Sequence, residues 1–405
     1  MTENLPRLRF NLDFMPSPDP SRPGLMIRDP YQFSDSVLVV PPVLVPLLEC
    51  FDGAHSELDL RAEIVRITGE IQVGAIEQNL FDSLNGAGFL ENENYRRIRN
   101  GREAEFARSP VRPAIFAGSA YPVQRGELSS LMTARIGSGQ GAASTLAIAA
   151  PHVSPDGGWD TYRAAYGAVP VDHATDRIVV ILGTSHYGAP DKFGLTRKNF
   201  ITPYGEAATE TKLVDELAAA APEAVRMEDY CHAVEHSIEF QVVFLQHLFG
   251  PSVRILPILC GPYVKSIYEG GSPEQDEHVN RFLDALANIR TREGKRLFWI
   301  LGVDMAHMGR RYGDRLLAQA SQGEMLSVED RDRKRISQIV AGDAHSYWSL
   351  VQESQDDLKW CGASAFYTFL KVMPPLRGEL LDYRQWQIDP NSVVSFGALR
   401  FEEKP

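Results

Sequence analysis

Two short apolar runs, Leu146–His152 (LAIAAPH) and Arg177–His186 (RIVVILGTSH), constrain this chain more than any other feature. Each has the length of a strand and stops at a Pro or Gly shortly before a histidine. Continuous apolar runs of this kind read as parallel strands buried on both faces. Successive parallel strands need a crossover of about a dozen residues or more, usually helical. Thr161–Val169, with Tyr162, Ala165 and Tyr166 on one face, can supply it. A right-handed crossover lays the two strands close together with their carboxyl ends at one edge. That puts His152 and His186 side by side, where open α/β sheets hold their ligands.

The pattern recurs further along. Val253–Gly261 (VRILPILCG) ends in Cys260, and Arg296–His307 (RLFWILGVDMAH) reaches Asp304 and His307. Helical stretches are expected at Thr209–Ala221, His236–Phe249, Glu277–Arg290, Asp330–Ala341, Tyr347–Ser354 and Ala363–Met373, with a last strand at Ser392–Phe401. Alternation of this kind predicts an α/β domain over residues 113–405, a mixed central sheet flanked by helices.

The first hundred residues read differently. Residues 1–30 are rich in Pro, Asp and Arg and read as an extended lead-in. A strand follows in SVLVV, then a helix from Pro41–Pro42. A second helix spans Ser56–Thr68, capped by Ser56 with Asp59 three residues on, its apolar face drawn from Leu58, Ile64, Val65 and Ile67. A third spans Val73–Ala87, and Phe89–Leu90 opens a short strand. This order predicts a small α+β winged-helix-like domain over residues 1–105. It also resembles the PqqD-type domains that recognise precursor peptides along a strand edge. The charged stretch Arg96–Arg112 lacks apolar periodicity and reads as the linker. The segment before it has no lysine, the first being Lys192, which argues against binding to a phosphate backbone.

Three residue groups point to chemistry. His152 and His186 offer two imidazoles for a metal, and a cysteine would complete the set. Cys361, in KWCGASAF just ahead of a helix, has a thiolate favoured by the helix N-terminus; Cys260, at a strand end, ranks almost equally. Glu235-His236-Ser237-Ile238-Glu239 is expected to begin a helix, with Glu235 and Glu239 on one face and His236 able to act as a general base. Asp304 and His307, at a further strand end, can orient a metal-bound histidine or bind substrate.

Composition excludes several partner classes. Among 405 residues, 44% are apolar and the formal net charge is -12, which suits a large core and not a nucleic-acid or anionic-membrane surface. The longest apolar runs are too short to span a bilayer, and MTENLPRLRF has no apolar signal core. Four cysteines without a CxxC pair are no disulfide framework. The expectation is a cytoplasmic protein with free or metal-bound thiols.

At these residues the chain resembles the Memo-like family, called protein B of the AmmeMemoRadiSam system. The matching pieces, in order, are Ala117-Gly118-Ser119-Ala120-Tyr121, Ala150-Pro151-His152, Gly183-Thr184-Ser185-His186, the block from Glu235 to Glu239, Asp304 with His307, and Cys361-Gly362. The resemblance implies a fold similar to class III extradiol dioxygenases, with a cysteine where those enzymes use a carboxylate. It implies His152, His186 and Cys361 as ligands of a mononuclear metal, Fe(II) first or Cu, and His236 as the neighbouring active-site histidine; the donor set itself also suits Zn, and the residue pattern adds Glu235, Asp304 and His307 as expected catalytic groups. It implies oxygen-dependent redox chemistry on a small molecule or peptide, and a radical-SAM or AMMECR1-like protein partner. Other readings of the same cleft are a non-catalytic peptide-binding module and a zinc hydrolase. The chain departs from the family pattern after His152, where Val153–Gly158 is expected as a pocket-lining loop, and at Ala306.

Overall fold

The Pro-rich opening is a hairpin, not an extended lead-in. In the computed structural model, which describes residues 4–170 and 177–404, β1 (Asp13–Pro16) pairs antiparallel with β2 (Leu25–Arg28), and β2 with β3 (Val37–Val40). The small sheet leads into a 3-10 helix, Pro42–Cys50, and three α-helices, Glu57–Thr68, Gly74–Gly86 and Glu93–Arg108. The Ser56–Asp59 capping box is present. It sets the phase of its helix so that Leu60 and Ile64 are buried, while Leu58 and Val65, expected inward, face out.

Two further expectations for this region are corrected. The winged-helix order fails because the sheet precedes the helices, and Phe89–Leu90 contributes only a single bridge, Leu8 to Leu90. The presumed linker is largely the helix Glu93–Arg108. It has little apolar surface but is supported by ion pairs one turn apart, Arg99 to Glu103 and Arg96 to Glu93, and by the buried ring of Phe106. The chain divides into two compact units, Met1–Arg108 and Ser109–Pro405. The first has its own core, with Ile27, Leu47, Leu60, Leu84 and Phe89 at its centre. Within that core Arg9 makes a two-pronged pair with Asp29.

The second unit holds a twelve-stranded mixed sheet among the described residues. Its strands are β4 (Val111–Arg112), β5 (Ala147–Ala150), β6 (Ile178–Thr184), β7 (Phe193–Leu195), β8 (Asn199–Thr202), β9 (Gly205–Thr209), β10 (Val225–Met227), β11 (Arg254–Cys260), β12 (Leu297–Gly302), β13 (His307–Gly309), β14 (Leu376–Asp389) and β15 (Ser392–Glu403). The path runs β13-β15-β5-β12-β6-β11-β9-β8-β4. The run from β5 to β9 is parallel, and β15 joins β5 antiparallel. Alternate residues of the central strands enter two cores on opposite faces. Val180, Leu182, Trp299 and Leu301 go one way, and Val179, Ile181, Phe298 and Ile300 the other. That is why these runs are apolar throughout instead of alternating.

β5 and β6 are not neighbours, as the simple crossover predicts; β12 lies between them, paired with both. The helix after β5 begins at Pro155, so residues 155–158 are its first turn and not a loop. Proline suits that position because its missing N–H would have no partner in the first turn. β14, unanticipated, is a long partner for β15.

Candidate functional site

Three parallel strands deliver the central groups by one rule. His152, Asp304 and His186 each lie two residues beyond the last residue of β5, β12 and β6. Because β12 stands between the other two, the histidines converge over its end. Their ring centroids are 5.0 Å apart. The strand-end glycines make room for this. A Cβ at Gly302 would fall 2.2 Å from the Ser237 carbonyl oxygen, and one at Gly183 would fall 2.7 Å from the Ser237 hydroxyl. Ser237 in turn donates to Thr184 O at 2.9 Å, which seats the block from Glu235 to Glu239 on the sheet edge.

Cys361 enters from the loop before the helix Ala363–Val372. Its Sγ is 3.3 Å from His152 Nε2 and 3.6 Å from Asp304 O. One ligand atom from each of His152, His186 and Cys361 lies within 4.8 Å of the others. A second such group, His186, Glu235 and His236, shares His186 with the first. In the first group both histidines have Nδ1 occupied. In His152 it meets Gly302 O at 2.9 Å, and in His186 it meets Glu235 at 2.9 Å. A donor on Nδ1 leaves Nε2 with the lone pair, the arrangement found in metal-bound imidazoles. Cys260, the alternative third ligand, is excluded by position. It packs in a core with Phe193 and Tyr263, and burial raises its pKa to about 12.

Glu235 and Glu239 do not share a helix face. Glu235 sits in extended backbone at the end of the short helix Cys231–Val234, and the next helix begins only at Glu239. The two acids therefore serve different ends. Glu235 takes the backbone N–H and the imidazole of His186. Glu239 is fully buried and pairs with Arg112, accepts the Tyr121 hydroxyl, and accepts the Phe116 N–H at 3.1 Å. Phe116 then presents its ring edge to His236, centroids 5.6 Å apart. His236 stacks nearly parallel on His186 at 5.1 Å. His307 stands beside the cluster, its Nδ1 between Met305 O and Lys359 O and its ring against Tyr312.

Burial separates the charge states. It lowers His152 well below the usual imidazole range, helped by His186 and His236. It lowers His236 and His307 to about 4. At His186 burial also opposes charge, but Glu235 and the Cys361 sulfur outweigh it and hold the ring well above its ordinary value. Burial raises Asp304 to about 7, although its Oδ1 accepts the His152 N–H at 2.9 Å. Cys361 is likewise raised by burial, which His186 only partly offsets. The expected thiolate at a helix N-terminus is thus not favoured without a further cation.

Of the residues singled out in the sequence, His152, His186, Glu235, His236, Asp304, His307 and Cys361 meet in this one region, and Cys260 does not. The sequence reading passed over Arg112, inside the presumed linker, and Gln241, which donates to Pro151 O at 3.0 Å and so steadies the turn before His152. Tyr121 carried a signal, since it closes the Ala-Gly-Ser-Ala-Tyr motif.

The family model for Memo-like protein matches residues 112–400. A MEMO1 family protein of Aquifex aeolicus is 25% identical over 98% of this chain and 99% of its own length. One from Nitrosopumilus maritimus is 23% identical over 72% of this chain and 99% of its own. One from Thermus thermophilus is 24% identical over 76% and 86%. The Aquifex alignment takes in most of the first 108 residues as well as the sheet unit.

Proposed function

The chain belongs to the Memo-like protein family, and we propose that its strand-edge cluster is a mononuclear metal centre, with Fe(II) as the metal and oxygen-dependent oxidation of a small molecule as the reaction. The observation that carries this is the convergence of one imidazole nitrogen from each of His152 and His186 with the Cys361 Sγ, each histidine steadied at Nδ1 by a separate acceptor. The electrostatics fit as well. The surroundings of His186 favour positive charge, so a cation there would draw the Cys361 proton off the sulfur.

His152, His186 and Cys361 would hold the ion, with His236 stacked beside His186. Iron in such a setting supplies oxygen activation and a Lewis-acid contact for substrate. The chain's own residues supply the rest. His236 is neutral at physiological pH and presents a lone pair beside His186, so it can accept a proton from a bound hydroxyl. Phe116 packs edge-to-face with that imidazole. Asp304 keeps His152 in place through its backbone N–H.

Metal analysis of protein purified without oxygen tests the reading. The wild type should carry about one iron per chain, and His152→Ala and His186→Ala should each lose most of it while remaining folded. Full metal content in both variants would sink the proposal. Stoichiometric zinc with no oxygen uptake on any substrate tried would instead support a hydrolase.

A further inference from the structure

A single carboxylate outside the cluster grips both segments that carry it. Asp332, on the helix Glu324–Ala341, is fully buried. Its Oδ1 accepts the Trp360 indole N–H at 2.7 Å. Its Oδ2 accepts the Ser395 hydroxyl at 2.6 Å and the Tyr383 hydroxyl at 2.7 Å. Trp360 immediately precedes Cys361. The Ser395 hydroxyl, which donates its hydrogen bond to Asp332, accepts the Ala306 N–H at 2.8 Å. The Ser395 backbone adds two bonds, to Met305 and Ala306. Ala306 lies between Asp304 and His307.

One arm of the carboxylate therefore holds the sulfur-bearing segment. The other, through Ser395, holds the segment whose Asp304 fixes His152. The two segments also touch directly, through Gly362 N–H to Asp304 O at 3.2 Å and His307 N–H to Leu358 O at 2.9 Å. The indole N–H can only donate, so one carboxyl oxygen is committed to Trp360, while burial pushes the Asp332 carboxyl above its usual range. A buried polar group of this kind adds little stability by itself, because desolvation offsets its attractions. Its use is to fix geometry, as the outer partners of metal ligands do.

We propose that Asp332 is a positioning residue that sets the separation of Cys361 Sγ from His152 through Trp360 and Ser395. This rests on the metal reading of the cluster and identifies a residue that acts on the candidate ligands only through Trp360 and Ser395. Tyr383 supplies an internal control. It binds the same carboxylate but belongs to β14, which carries no candidate ligand.

The test uses the full-length protein, with Co(II) as the probe, and reads both affinity and the thiolate-to-cobalt absorption band. Trp360→Phe keeps a ring and deletes one N–H. It should weaken Co(II) binding about tenfold, the lower end for lost outer partners, and shift the band. Ser395→Ala should act in the same direction. Tyr383→Phe should lower thermal stability but leave affinity within about twofold and the band unmoved. Asp332→Asn should exceed either ligand-side variant; should it fail to fold, Trp360→Phe decides alone. The inference is overturned if Trp360→Phe binds and absorbs like wild type, or if Tyr383→Phe weakens binding as much. A wild-type chain that takes up neither Fe(II) nor Co(II) overturns the metal reading itself, and this inference with it.

Discussion

His152 and His186 occupy equivalent places, each two residues past a parallel strand, yet their Nδ1 atoms meet different partners. His152 meets a neutral carbonyl, Gly302 O, and is almost wholly buried. His186 meets the carboxylate of Glu235 and keeps 24% of its side chain exposed. The result is opposite charge preference. His152 is pushed down by burial, and His186 is held up against burial by Glu235 and Cys361. Strand ends thus fix where the two rings stand, while the loops packed on them decide what each ring does. His152 is a neutral anchor, and His186 is the place where positive charge collects.

The largest effect expected on this asymmetry comes from Arg112, whose guanidinium donates to Glu235 O at 2.7 Å, donates to His232 O at 2.9 Å, and pairs with Glu239. Arg112→Met leaves Glu239 buried without its partner and should cost about 3–5 kcal/mol in urea unfolding. The disturbance should fall on the His186 side. A loss below about 1 kcal/mol would mean the pair contributes no more than an exposed one.

Asp304 sharpens the other side through pH. Its carboxyl titrates at about 7 when folded and near ~3.9 when unfolded. A raised folded value means the folded state holds the proton more tightly. That contribution is complete below the unfolded value and is lost as pH rises through about 7. Between pH 5 and 7 the metal-free wild type should lose stability relative to Asp304→Asn at about 1.4 kcal/mol per pH unit. Parallel stability curves for the two proteins would show that Asp304 is ionised throughout.

Glu235→Gln removes the negative charge behind His186 but keeps an acceptor there. Metal affinity should fall about tenfold, and the ring's raised pKa should return towards the usual imidazole range by NMR titration. An unchanged titration would erase the contrast between the two histidines. The smallest expected effect is on thiol access. Cys361 is partly exposed while Cys50, Cys231 and Cys260 are buried. Iodoacetamide should therefore modify Cys361 first, slowly at neutral pH because burial raises its pKa, and bound metal should protect it.

Much of this site was legible because strand ends announce themselves. An apolar run that stops at a Pro or Gly, with a histidine or aspartate within the next three residues, was enough to find His152, His186 and Asp304. Cys361 needed the family resemblance to be preferred over Cys260, since one precedes a helix and the other ends a strand, and only the packing of Cys260 into the core with Phe193 and Tyr263 separates them. The order β5-β12-β6 was not legible, because pairing partners lie about 150 residues apart in the chain and nothing local encodes them. The helix Glu93–Arg108 was missed because its stability comes from ion pairs spaced one turn apart and from its fit against its own unit, not from an apolar stripe. Arg112 and Asp332 were invisible for a related reason. A charged residue in a charged stretch reads as solvated until its burial is known.

Arg112 also changes what counts as the beginning of the larger unit. It stands three residues past the division at Ser109, so a shortened chain starting at Pro113 would look like a clean excision and yet strip Glu239 of its cation. A chain starting at Ser109 keeps that cation, along with the pairing of β4 to β8 and the bond from Lys198 to Ser109 O. The two truncations differ by four residues and should behave as different proteins, the longer soluble and the shorter aggregating. For this fold the sensible place to cut is decided by one buried guanidinium, not by where regular structure resumes.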